Sequence, residues 1–82
     1  MCRNITTLRG LEPAATPEEI SAAALQYVRK VSGVQSISAT TQEAVDAAVA
    51  EIAATTARLL DSLPPRRQPP TKEPPLRRLA RR

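Results

Sequence analysis

Two groups of residues in this 82-residue chain have types and spacings suited to chemistry. The first is Cys2 with its neighbours Arg3 and Asn4. If Met1 is removed, the thiol and the α-amino group share one residue and can chelate a metal or react together. Arg3 would favour the thiolate by lowering its pKa. The second group is Gln26, Arg29 and Lys30, which a helix brings to one side through steps of three and four. Two cations and an amide placed so can hold a phosphate or a carboxylate. Arg3, Asn4, Gln26, Arg29 and Lys30 are therefore the candidate ligand- or anion-binding residues.

Neither group makes a catalytic set. The chain contains no histidine, which excludes a Cys–His nucleophile pair and imidazole ligation of a metal. A single cysteine cannot complete a structural zinc site within one chain, nor an internal disulfide. There is no paired acid and base and no glycine-rich phosphate loop. The residues predict no metal site and no cofactor, with Cys2 as the one candidate nucleophile. A small packed cysteine and a solvated basic turn account for the same residues without a ligand.

A third group of cations lies at the C-terminus: Arg66, Arg67, Lys72, Arg77, Arg78, Arg81 and Arg82. The overall charge of +4 divides unevenly. Residues 1–63 hold five cations against seven carboxylates, a net −2, whereas residues 64–82 hold seven cations against Glu73, a net +6. Contact with nucleic-acid phosphates or with an acidic partner is thus expected from the tail alone. Without aromatic residues for base stacking or a recognisable reading helix, nucleic-acid binding there would be non-specific.

The elements that must position these residues start from Thr16–Gly33, TPEEISAAALQYVRKVSG. Thr16 and Glu19 have capping-box spacing, Pro17 suits the first helical position, and Glu18 and Glu19 favour the positive end of the dipole. Ile20, Ala23, Ala24, Tyr27, Val28 and Val31 recur at helical steps along one side. Arg29 and Lys30 fall in the last turn, and Gly33 supplies the left-handed stop. A second stripe, Val45, Ala48, Val49, Ile52, Thr56, Leu59, Leu60 and Leu63, predicts a second helix that Pro64-Pro65 ends. Its cap is Thr40 with Glu43 at capping-box distance, or else Ser38 or Thr41. On its back, Ala47, Ala50, Ala54 and Ala57 either merely favour helix or let another helix approach closely.

The expected fold is all-α: an antiparallel two-helix hairpin, about 17–32 and 41–63, with the stripes facing each other. In domain terms, residues 1–63 form one small helical unit, divided into an arm at 1–15, a first helix at 16–33 and a second at 40–63. The arm carries Ile5, Leu8 and Leu11 and is expected to pack beside Leu25, off the main stripe of the first helix. The tail, 64–82, with three Pro-Pro pairs among basic residues, is expected to be disordered. A core built without Trp or Phe, and with one Tyr, is thin, so self-association over a second apolar face is expected. No membrane span and no secretory leader are legible, and one cysteine suits a reducing compartment. A cytoplasmic protein without a membrane partner follows.

The opening Met1-Cys2-Arg3-Asn4-Ile5, then Glu12-Pro13, Ala15-Thr16, Glu19-Ile20 and AAALQYVRKVSG over 22–33, resembles a bacterial domain-of-unknown-function family. Its members are short and begin with the same pentapeptide. The resemblance continues through Ala48-Val49, Glu51-Ile52, Ala54-Thr55 and Leu59-Leu60, so it covers about residues 1–63 and excludes the tail. The family pattern has a proline near Ser36, an asparagine near Thr41 and an aromatic near Val45, none of which this chain carries. It implies no activity. Three functional readings stand: a non-catalytic protein-interaction module that dimerises or binds a protein partner; a nucleic-acid accessory acting through the tail; and a small thiol or metal-dependent protein using Cys2.

Overall fold

The structure, a computed structural model, describes residues 4–34, 36–66, 69–70 and 72–80. Three helices occur in them: α1, Pro17–Ser32; α2, Ala39–Ser62; and α3, Pro75–Ala80. No strand is present among the described residues.

α1 begins and ends where its residues direct. Glu19 N–H donates to Thr16 Oγ1 at 3.1 Å, while Thr16 N–H donates to Glu19 Oε1 at 2.8 Å, so two otherwise orphaned amides are satisfied reciprocally. Gly33 terminates the helix at φ +74°, and its N–H donates to Arg29 O. α2 is capped by Ser38 rather than by Thr40, and Ser38 N–H donates to Thr41 Oγ1 at 3.0 Å. Thr41 thus fills the N3 role that Glu plays in α1. The helix stops at Leu63, whose extended backbone (φ −79°, ψ 148°) is what a following proline demands.

α1 and α2 pack against each other as an antiparallel hairpin. The buried stripe is narrower than the apolar one. Ile20, Ala24 and Val28 of α1 and Val45 of α2 are buried, but Tyr27 is 49% exposed, Val31 67% and Leu59 54%. A single helix neighbour leaves part of each stripe in solvent, because the apolar face of such a helix is at least about 100° wide.

The arm closes part of what remains. Leu8 and Leu11 are buried with Ile20, and Ala15, Ala53 and Leu60 complete that cluster. The arm therefore seats across the gap between α1 and α2, where two apolar surfaces meet, and not against Leu25 alone. At its start, Asn4 N–H and Ile5 N–H both donate to Gln26 Oε1, at 2.7 and 3.2 Å.

Of residues 64–82, which the sequence reading expects to be disordered, the structure describes 64–66, 69–70 and 72–80. In the described part, Pro74 is buried, α3 follows it, and Arg77 of α3 reaches the N-terminus of α1. Proline and arginine bury little apolar area. What holds this segment is polar: a buried carboxylate and unpaired carbonyls at the start of α1.

Candidate functional site

Three places concentrate charged, polar or concave surface. The first is a clamp around Glu19. Glu19 is 3% exposed, the one buried charged residue described, and its Oε2 accepts from Arg77 Nε at 2.7 Å. Arg77 also donates through Nη2 to Glu19 Oε1 at 3.2 Å, to Ala14 O at 2.9 Å and to Pro13 O. Burial alone would push the Glu19 carboxyl up. The Arg77 hydrogen bond, the Thr16 amide and the Arg77 charge outweigh it and hold the group below its ordinary value of 4.5. Nearby, the Arg9 guanidinium donates twice to Pro64 O, at 3.0 and 2.6 Å, and Arg66 lies over Gly10. These bonds tie arm, α1 and tail together. With three hydrogen bonds accepted and the Arg77 charge favouring its ionised form, this carboxylate is a poor base, and the clamp is structural.

The second place is an apolar depression of about 830 Å³ between the arm, the first turns of α1 and the last turns of α2. Leu11, Ala15, Ala53, Ala57, Leu60 and Leu63 line it, with Arg58 and Asp61 on its α2 side. Of the four alanines on the back of α2, all are exposed, and Ala54 and Ala57 border this depression.

The third is a depression of about 760 Å³ bounded by Asn4 on one side and by Gln26, Arg29, Lys30 and Gly33 on the other, with Ala22 and Leu25 forming its apolar wall. Four of the five candidate anion-binding residues thus meet at one place. Asn4 arrives from the arm, held there by Gln26; Arg29 and Lys30 are exposed. Cys2, Arg3, Arg67, Arg81 and Arg82 lie outside the described residues. Of the remaining tail cations, Arg66 and Lys72 are exposed, Arg77 is engaged by Glu19, and Arg78 falls within α3. Among the described residues no cluster of three or more His, Cys, Asp or Glu side chains is placed to hold a metal ion. No helix of the described residues is long and apolar enough to cross a membrane.

The sequence reading missed the Glu19–Arg77 pair. Nothing in spacing connects residues 58 positions apart, and Glu19 already had a sufficient local role as the capping-box carboxylate.

Fold and site together define a small helical-hairpin protein with an arm and tail folded back on its first helix. The chain belongs to the family described as uncharacterized conserved protein (DUF2277), whose sequence profile matches residues 1–82. The match runs through the tail, beyond the roughly 1–63 that the resemblance covers, and includes Arg77, which pairs with Glu19 of α1. No curated protein and no solved structure matches the chain.

Proposed function

We propose that this chain is a non-catalytic interaction module of the cytoplasm that pairs with a second copy of itself through the depression beside α2. The observation that carries this reading is the amount of surface left uncovered. The chain exposes 6195 Å², whereas a compact monomer of its mass exposes about 4,800 Å². The excess is larger than the roughly 800 Å² per partner that a stable interface covers. Part of it is apolar: Leu63, at the end of α2, lines the depression together with Ala54 and Ala57 of the alanine face. Small side chains there let a second helix approach closely. Arg58 and Asp61, opposite in sign and one turn apart, suit a two-fold contact in which each meets the other across the axis.

Sedimentation equilibrium of the full chain tests this. Wild type is expected to dimerise, and Ala57→Lys and Leu63→Lys each to be monomeric with unchanged helical circular dichroism, since both positions are exposed. A wild type that stays monomeric up to about 1 mM, an association weaker than about −4 kcal/mol, would overturn the proposal.

A further inference from the structure

We infer that the depression between Asn4 and the last turn of α1 is a binding site for a small organic oxyanion, a carboxylate or phosphate ester carrying an apolar body. Arg29 and Lys30 both line it and are exposed, and neither side chain makes a hydrogen bond or ion pair among the described residues. Elsewhere, Arg9, Arg58 and Arg77 each donate to an oxygen of the chain itself. The negative end of the helix dipole does not cancel the two charges. It amounts to about half an elementary charge against two cations. It is also partly quenched, because Val28 O accepts from Ser32 Oγ at 2.6 Å and Arg29 O from Gly33 N–H at 3.0 Å.

Two features separate this place from a merely solvated basic turn. It is concave and built from two segments, since Asn4 borders it from the arm, whose backbone Gln26 holds. It also pairs its cations with an apolar wall, Ala22 and Leu25, which an anion-only surface does not need. A guanidinium forks onto two oxygens of a carboxylate or phosphate, an ammonium adds a point charge, and the wall removes the ligand's hydrocarbon part from water. The site is independent of the depression proposed for self-association, which lies between the arm and the far end of α2.

The test is a ¹H–¹⁵N NMR titration of the full chain with phenyl phosphate, benzoate, inorganic phosphate and phenol. Phenyl phosphate, benzoate or both are expected to give saturable shifts confined to Asn4, Ile5 and residues 22–33, and whichever of the two binds tighter tells ester from carboxylate. Inorganic phosphate should bind about tenfold more weakly and phenol not measurably, each lacking one half of the recognition. Arg29→Gln with Lys30→Gln should weaken the tighter ligand about tenfold or more, and Arg66→Gln with Lys72→Gln should leave it unchanged. Shifts that do not saturate, that spread equally over the tail, or that survive Arg29→Gln with Lys30→Gln would overturn the inference. All four substituted positions are exposed, so loss of fold does not confuse the result.

Discussion

At the end of the hairpin where α1 begins, hydrogen bonds join residues 55 to 64 apart: Arg9 to Pro64, and Arg77 to Pro13, Ala14 and Glu19. At the other end, beyond the Asn4 and Ile5 bonds to Gln26, those where α1 gives way to α2 span two to four residues: Val34 to Ser32, Ser38 to Thr41, Gln42 to Asp46. The first end also holds the buried cluster of Leu8, Leu11 and Ile20, whereas Val31 at the second is 67% exposed. A long-range bond closes a large loop, so its entropic cost must be offset by burial or charge. A local bond costs little and adds little. The fold is therefore clamped at one end, and most of its sensitivity to mutation should lie there.

The largest effect is expected at Glu19. Glu19→Ala removes half of the capping box and leaves the Arg77 guanidinium without its carboxylate, which should cost about 3 kcal/mol. That is a large share of the stability of a chain this size, roughly 4–12 kcal/mol. Urea denaturation would register it as a lowered midpoint at unchanged slope. Because the native carboxyl sits below 4.5, its contribution is fully present above that pH and is lost as pH falls through the lowered native value. In Glu19→Gln the urea midpoint should accordingly lose this acid-limb dependence, and its curve should converge on that of wild type at low pH. A wild type and Glu19→Gln that decline in parallel would show that the carboxylate is not what fastens the tail.

Next comes Leu11→Ala, which empties part of the arm's buried apolar anchor and should cost about 2 kcal/mol, with faster proteolysis in residues 1–15. The two glycines sharpen the contrast, since both have positive φ. Gly10→Ala, at φ +88°, would also bring a Cβ within 3.0 Å of Arg66, so about 1.5 kcal/mol is expected. Gly33→Ala, at φ +74° in open space, should cost only the backbone term, about 1 kcal/mol. Equal losses at the two would mean that the tail does not press on the arm. The smallest effect belongs to Val31→Ser at the open end, within about 0.5 kcal/mol by thermal melt at a concentration where the chain is monomeric.

The helices were legible in the residues because their signals are local. Thr16, Pro17, Glu19 and Gly33 each act within four positions of where they stand, and the 3.6-residue recurrence of Ile20, Ala24 and Val28 survives into the structure as a buried line. The same reasoning placed Gln26, Arg29 and Lys30 on one side of α1. It mistook the width of the stripe, since periodicity marks which residues share a face but not how much of that face a partner covers. Tyr27 and Val31 therefore read as core and are exposed.

The sequence by itself determined two amphipathic helices, where the first starts and both stop, and the split of charge between residues 1–63 and 64–82. Only the tertiary structure decided that Leu8 and Leu11 share a cluster with Ile20 and Leu60, that Asn4 comes to rest beside Arg29 and Lys30, and that Arg77 closes on Glu19. The physical reason is the range of the forces involved. Caps and periodicity act within one or two turns of a helix, whereas a buried ion pair between residues 58 apart exists only once the chain has already brought its ends together.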